Sequence, residues 1–248
     1  MDNSTTKADI MLEIRLETAA NSQQAYDDLY TDVGISQPHS FYLWMMEILA
    51  LQPDDVYLDI SCGRGELVAM AQARGVQAHG MDISWAALRS GQPDLMENNF
   101  AVCNAEQLPY ADDSFSVASN MGSLEHFGDM KTAVQEMARV LKDNGTAVIL
   151  VPNTFSLMTN IWIAFRQGRT SIDDQPIQRY AARQEWQQLL QENGLIVEKT
   201  LKYEHVIPRT RQDWIGHLRH PKRILRLLLI PFIPLNLAYG FIFVCRKP

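Results

Sequence analysis

A strand, a glycine-bearing turn and a helix are predicted by the segment VYLDISCGRGELVAMA, residues 56–71. Val56, Tyr57, Leu58 and Ile60 make a short apolar and β-favouring run, whereas after Gly65 the apolar spacing becomes helical. Gly63 and Gly65 fall in the turn, where backbone without a Cβ atom lets a ligand approach closely. Because Arg64–Leu67 supplies no third glycine at the dinucleotide-fingerprint spacing, the turn predicts a ligand site without naming the ligand.

An acidic residue, Asp82, closes a second apolar run, VQAHGMD, and is expected at the carboxyl edge of the neighbouring strand. Acids at this place bind ribose hydroxyls in doubly wound sheets. Two further segments of the same kind follow, NAEQLPYADDSF at 104–115 and SVASNMGSLEHFGD at 116–129. Four strand-end features therefore point to one ligand-binding edge.

With these motifs the chain resembles the class I S-adenosylmethionine-dependent methyltransferases, in particular the small-molecule branch with a type 11-like domain. That branch carries LDxGCGxG, a DIS-type acid, a DAExLPF-like loop and an LEH after the fourth strand. The resemblance extends over residues 40–203 and resumes in the closing strand. Ser61 stands where the family usually has glycine, and Asn104 where it usually has aspartate; an amide still donates and accepts hydrogen bonds at an adenine edge.

The resemblance implies S-adenosyl-L-methionine as cofactor, with S-adenosyl-L-homocysteine as product. It implies Asp82 on the ribose hydroxyls and Ile83 beside the adenine. The other implied cofactor residues are Asp59, Ser61, Gly63 and Gly65 at the methionine moiety, Asn104, Ala105 and Glu106 at the adenine, and Asn120 and Met121 near the sulfonium. Glu106 has the alternative reading of a solvated loop acid.

Methyl transfer requires a donor and an acceptor held close, aligned and shielded from water, so acid or base help is not obligatory. His126 is the candidate general base, with a structural histidine as the alternative. Tyr26, Tyr30, His39 and Tyr42 either contact the acceptor as part of a lid or pack an N-terminal helix.

The order of apolar runs predicts an α/β fold, a doubly wound, Rossmann-like, seven-stranded and mostly parallel sheet. The resemblance implies that the seventh strand pairs antiparallel at the edge of this sheet. Asn144 and Gly145 are expected to end a helix and turn the chain into the fifth strand. Residues 1–50 are expected to form an N-terminal helical lid, 51–204 with 239–248 the cofactor-binding core, and 205–238 a cap insertion. Strands are predicted near 56–60, 76–81, 99–103, 115–120, 145–151, 195–204 and 241–247, and helices near 66–74, 84–90, 130–142 and 181–192.

The predicted cap combines basic and apolar residues. Residues 205–226 include six Lys or Arg residues but only one acid, Asp213, although the chain has a net charge of −7. An apolar stretch follows directly, so peripheral contact with an anionic membrane through residues 205–234 is one interpretation. In the other, the leucines pack over the sheet and the basic residues are solvated. Arginine, asparagine and two prolines make a membrane-spanning helix here unfavourable.

Composition limits the function classes. The net charge of −7 and the absence of an NPPY or DPPY tetrapeptide argue against a nucleic-acid acceptor and favour a small molecule, which could be lipophilic. Three cysteines, Cys62, Cys103 and Cys245, form no metal-binding spacing, so no metal and a reducing, cytoplasmic setting are predicted. A nicotinamide-dependent oxidoreductase and a non-catalytic cofactor-binding or interaction protein are the alternatives.

Overall fold

The computed structural model describes residues 11–15, 22–32, 34–91, 99–172, 175–204 and 206–248. Its strands are β1 (Leu12–Arg15), β2 (Val56–Ile60), β3 (Gln77–Asp82), β4 (Phe100–Val102), β5 (Phe115–Met121), β6 (Leu141–Pro152), β7 (Ile177–Tyr180), β8 (Ile196–Tyr203) and β9 (Gly240–Arg246). Seven of them form one sheet in the order β4-β3-β2-β5-β6-β9-β8, and β1 and β7 form a separate antiparallel ribbon. The predicted α/β architecture with a mostly parallel sheet is confirmed.

Helices alternate with the strands. They are α1 (Ser22–Asp32), α2 (His39–Leu49), α3 (Glu66–Gln72), α4 (Trp85–Arg89), α5 (Met130–Val140), α6 (Trp162–Gln167), α7 (Arg183–Glu192), α8 (Arg211–Leu218) and α9 (Pro221–Leu229). A π-helical turn, Leu157–Ile161, leads into α6. The helices predicted near 66–74, 84–90, 130–142 and 181–192 are confirmed, whereas α6, α8 and α9 were not predicted.

Two apolar layers cover the sheet, one on each face, as a doubly wound fold requires. Alternation along the strands assigns the layers: Tyr57 packs with one cluster, and its neighbour Leu58 packs with the other. Helices α2 and α3 contribute to the first cluster, for example through Phe41 and Val68. Helices α5 and α7 contribute to the second, which contains the fully buried Trp186.

The antiparallel strand β9 lies inside the sheet, between β6 and β8, so its predicted place at the edge is wrong. Phe241, Ile242 and Phe243 are fully buried, and they alternate between the two apolar layers, which explains why this strand needs a neighbour on both sides. The edge is formed by β8 instead. This strand carries charged residues such as Lys199, which suit an exposed edge.

Two local predictions differ from the structure. Helix α5 already ends at Val140, and Asn144 lies inside β6 in the left-handed region with φ 60°. The pairing of β5 with β6 shifts register there, so Asn144 and Gly145 belong to a bulge and do not end the helix. The N-terminal region, predicted to be helical, contains β1, which pairs with β7; residues 1–10 and 16–21 lie outside the described residues.

Candidate cofactor site

The site lies at the carboxyl edge of the parallel strands. Strand β2 is hydrogen-bonded to β3 on one side and to β5 on the other, so the strand order reverses across β2. Open α/β sheets bind ligands in the crevice outside the strand ends at such a switch point. The turn after β2 and the acid that ends β3 meet there.

Asp82 joins the glycine turn to the start of α4. Its Oδ2 accepts the backbone N–H of Gly63 at 2.8 Å, and its Oδ1 accepts the backbone N–H of Ser84 at 2.9 Å. The side chain is 5% exposed, and burial raises its pKa to about 6. Each carboxylate oxygen keeps a second lone pair for a hydroxyl.

Asp59 is a second buried acid close to the first. Its Oδ1 accepts a hydrogen bond from the Ser119 hydroxyl of β5 at 2.5 Å, and Ser119 lies 2.6 Å from the Tyr57 hydroxyl. Burial, against the opposing hydrogen bond from Ser119 and with the neighbouring carboxylates of Glu66 and Asp82, raises the pKa of Asp59 to about 7. The carboxyl groups of Asp59 and Asp82 are therefore suited to bind a ligand that carries a positive charge or several hydroxyl groups.

The turn between β2 and α3 has left-handed backbone at three positions. Ser61, Gly63 and Gly65 have φ values of 59°, 59° and 77°. Ser61 thus occupies, with a side chain, a conformation that favours glycine, which explains the glycine that the family usually carries there. A Cβ atom at Gly63 would come within 2.8 Å of the Tyr30 hydroxyl.

Phe100 explains a second property of the turn. Its ring atoms would lie 2.7 Å from a Cβ atom at Gly65 and equally close to one at Gly80 of β3. The absence of side chains at these glycines therefore makes room for an aromatic ring that packs on the turn. Neither Gly80 nor Phe100 was singled out in the sequence, because their pairing across β3 and β4 is not visible in local pattern.

The residues predicted beside the adenine follow β3 and β4. Ile83 is half-buried, Asn104 is exposed, and Ala105 is buried in the core. Glu106 accepts the backbone N–H of Asp129 at 3.0 Å, so its carboxylate ties this loop to the start of α5.

Asn120, predicted near the sulfonium, braces the site. It is fully buried, donates to the Ile60 carbonyl at 3.1 Å and accepts from the backbone N–H of Leu124 at 2.9 Å. The next residue, Met121, is half-buried against the cluster that contains Tyr57. Asn120 therefore holds the ends of β2 and β5 at a fixed spacing.

Helix α1 lies over the turn. Asp27 accepts hydrogen bonds from the Ser84 hydroxyl at 2.6 Å and from the backbone N–H of Ala86 at 2.9 Å, and so caps the start of α4. Tyr30 lies above Gly63, where burial and then the Asp82 carboxylate raise its pKa. Tyr26 donates to Gln175 at 3.0 Å. Asp27 was missed by the sequence analysis, because a cap contributed by a distant helix leaves no local pattern.

The remaining candidates are less central. Burial raises the pKa of Tyr42 to about 12, and its hydroxyl accepts the backbone N–H of Gln37 at 3.4 Å; His39 is exposed. The His126 side chain is 6% exposed, and its Nδ1 lies 2.5 Å from the Ile177 carbonyl of β7. Its Nε2 lies 3.7 Å from Glu125. His126 thus anchors the β1–β7 ribbon beside the end of β5.

One buried polar atom at the turn has no partner among the described residues. The Nε atom of Arg64 is buried there without a hydrogen bond. An α-carboxylate, as in the methionine moiety, would supply the missing acceptor, while Asp59 and Asp82 suit an ammonium group and ribose hydroxyls. The residues present therefore fit S-adenosylmethionine.

Within the described ranges, no helix is long and apolar enough to cross a membrane.

Comparison with known proteins agrees with this geometry. Residues 58–149 match the family model described as a methyltransferase domain. A demethylmenaquinone methyltransferase from Bacillus velezensis is 29% identical over 133 residues, 50% of this chain and 57% of that protein. A 27-O-demethylrifamycin SV methyltransferase from Amycolatopsis mediterranei is 30% identical over 178 residues, 67% of this chain and 62% of that protein.

The fold has solved counterparts as well. The structure of an S-adenosylmethionine-dependent methyltransferase from Mesorhizobium loti superimposes with a TM-score of 0.61 at 14% identity, over 83% of this chain and 98% of that one. The chain spans less than two thirds of the length of the two named relatives above. The family match covers the strands and turns that build the site. Residues 58–149 of the chain therefore belong to the methyltransferase-domain family, and the structure around them has the fold of an S-adenosylmethionine-dependent methyltransferase.

Proposed function

We propose that the protein transfers the methyl group of S-adenosylmethionine to a small, lipophilic acceptor, at an oxygen, nitrogen or carbon atom. The observation that carries this proposal is the hydrogen bond from the backbone N–H of Gly63 to the Asp82 carboxylate. It joins the glycine turn to the acid at the end of β3, at the point where the strand order reverses. The named relatives support a small acceptor, since they act on demethylmenaquinone and on a rifamycin. The negative net charge gives no support to a nucleic-acid acceptor.

The residues divide the work of binding and positioning. S-adenosylmethionine supplies an electrophilic methyl group on a sulfonium. Asp82 would hold the ribose hydroxyls, and Asp59 with Arg64 would hold the amino-acid end. Tyr30, above Gly63, would exclude water from that end. Alignment of the methyl donor with the acceptor and exclusion of water then account for most of the rate enhancement. His126 remains a candidate base that the reaction does not require.

The cofactor assignment is tested by Asp82→Asn, with Asp143→Asn as the matched control. Asparagine keeps one acceptor for a backbone N–H but removes the charge and an acceptor for the ribose. Titration calorimetry with S-adenosylhomocysteine should show affinity weakened by about 1–3 kcal/mol. Asp143 is exposed, so its variant should bind like the parent. Unchanged affinity in a folded Asp82→Asn protein would remove the assignment.

The same preparation separates the alternative functions. An oxidoreductase would bind a nicotinamide dinucleotide in preference to S-adenosylhomocysteine. A non-catalytic protein would bind the cofactor but transfer no label to any acceptor. Incubating the protein with methyl-labelled cofactor and cell extract, followed by solvent partition, tests the acceptor class. We expect label in the organic phase, and label confined to the aqueous phase would contradict a lipophilic acceptor.

A further inference from the structure

Two insertions leave the sheet at the edge that carries the site. Pro152 at the end of β6 pairs with Gly240 at the start of β9, and Gly240 pairs with Tyr203 at the end of β8. Strand β6 pairs parallel with β5, which pairs parallel with β2, and β8 has the same direction because β9 is antiparallel to both β6 and β8. Residues 153–176 and 204–239 therefore both leave the sheet at its carboxyl edge. Asn153 ties them together, donating to the carbonyls of Asn236 at 3.0 Å and Ala238 at 2.8 Å.

Both insertions expose large apolar side chains. Phe232 is 80% exposed and Phe165 is 79% exposed, and α8 and α9 contain no buried residue among those described. The expectation that the cap leucines pack over the sheet therefore does not hold for Leu225 and Leu228, which are 58% and 65% exposed. Exposed apolar surface on this scale marks an interaction site.

Helix α9 is amphipathic. At 100° per residue, Leu225, Leu228 and Leu229 share one side of the helix, and Lys222 and Arg226 lie next to each other along one border of that side. Helix α8 precedes it with exposed Trp214 and Leu218 and packs against it. Lysine and arginine beside an apolar face are the pattern of helices that lie in a membrane interface.

In the first insertion Arg166 and Arg169 are matched in number by Asp173 and Asp174, whereas the second insertion is basic. The second insertion contains six Lys or Arg residues against Glu204 and Asp213, and no Asp or Glu follows Asp213, although the whole chain has net charge −7. Asp213 itself accepts the backbone N–H of Ser40 at 3.0 Å and is therefore held against α2. In the first insertion, the Arg166 guanidinium lies 5.6 Å from the centre of the Trp162 ring, a pairing suited to the headgroup region.

We infer that the two insertions form one surface that docks on an anionic membrane, with α6, α8 and α9 in the headgroup region. This inference rests on the proposed lipophilic acceptor, which would reach the site from the bilayer. A second copy of the chain is a poorer occupant, because a symmetric contact would set basic residues against basic residues. The acidic remainder of the protein is repelled by the same membrane, which fixes the orientation.

Flotation of the full chain with vesicles tests the inference. Vesicles of phosphatidylcholine with about one third phosphatidylserine should bind the protein, pure phosphatidylcholine should bind it less, and salt should weaken the binding. Lys222→Gln with Arg223→Gln should lower partitioning to anionic vesicles by roughly 25-fold, since each charge is worth about fivefold. Lys142→Gln with Lys199→Gln removes two exposed charges elsewhere and should change it little.

The apolar contribution is tested separately in each insertion. Leu228→Ser with Phe232→Ser, and Trp162→Ser with Phe165→Ser, should each reduce binding to both kinds of vesicle. If only the first pair has an effect, the two insertions do not share one docking surface. Absence of flotation on anionic vesicles at low salt would overturn the inference, as would equal losses in the control variant.

Failure of this inference and failure of the proposed function give different results. Asp82→Asn should lose cofactor affinity and still float. A parent protein that binds S-adenosylhomocysteine but does not float refutes the docking surface alone. Sedimentation equilibrium completes the test: a dimer that Leu228→Ser with Phe232→Ser dissociates, without vesicle binding by the parent, would assign the surface to a second copy.

Discussion

Replacing Asp59 with asparagine should make the ligand-free protein more stable, and the gain in the free energy of unfolding at about pH 8 should be roughly twice the gain at about pH 5. The side chain is 3% exposed, and its hydrogen bond from Ser119 survives the change, because an amide oxygen accepts as a carboxylate oxygen does. The substitution removes the ability to ionise and replaces one carboxylate oxygen with an NH2 group. The free energy of unfolding thus reports the penalty of a buried charge.

The sign and the magnitude follow from the pKa of Asp59. Burial raises it from its ordinary value of 3.8 to about 7, so between these values the folded chain binds a proton that the unfolded chain has released. Stability therefore falls as pH rises through this window and is level above it. At about 1.4 kcal/mol for each pKa unit, the full penalty is about 4 kcal/mol. Relaxation around the charge lowers the measurable gain of Asp59→Asn to roughly 2–4 kcal/mol.

Urea unfolding at the two pH values measures this difference directly. Asp143→Asn, which removes an exposed carboxylate, is the control and should show almost no pH-dependent gain. Calorimetry should also show weaker binding of S-adenosylmethionine to Asp59→Asn, because in the proposed function this carboxylate would hold the ammonium group of the ligand. The reasoning is refuted if Asp59→Asn is no more stable than the parent at about pH 8.

Two further substitutions test individual residues of the site. Ser61→Gly should raise the melting temperature by about 2–4 °C, because φ is 59° there, whereas Ser90→Gly, at φ −79°, should lower it; equal effects in calorimetric melts would disprove backbone strain at Ser61. His126→Ala should destabilise the protein by about 1–2 kcal/mol in urea unfolding, since the Ile177 carbonyl loses its donor, and should slow turnover by less than about 10-fold. A turnover loss of about 100-fold with intact cofactor affinity would instead assign His126 as the base.

Short-range patterns predicted the parts of the fold that short-range forces determine. Strand β2 has the predicted bounds of 56–60, and β3 ends at Asp82, one residue beyond its predicted end. The hydrophobic run and the glycine turn lie within one segment there, so the sequence alone locates them. The position of β9 depends on pairing across about a hundred residues with β6, and no local signal encodes that partner.

The same distinction applies to the site. Asp82 and Gly63 were predicted on separate motifs, and the structure joins them by one hydrogen bond. Asp27 and Phe100 were not predicted, because each acts on a residue of a different element. Asn120 was assigned to the sulfonium on resemblance, whereas its contacts brace two strand ends. Sequence patterns identify residues that do not fit an ordinary apolar core, but they do not show which residues of other elements these contact.

The departures from ordinary folding rules concentrate at one edge of this sheet. Asp59 and Asp82 are buried acids with raised pKa values, Ser61 has left-handed backbone, and Phe232 is an aromatic ring left in solvent. Each of these features lowers the stability of the fold: a neutral residue at Asp59 or Asp82, a glycine at Ser61, or burial of the Phe232 ring would raise it. Left-handed backbone at non-glycine residues also occurs at Asp113 and Asn144, near the edge where the parallel strands begin, so the buried acids and the exposed ring are what distinguish the carboxyl edge. Since local conflicts persist where function requires them, their shared location ties the acids, the strained turn and the apolar insertions to one activity.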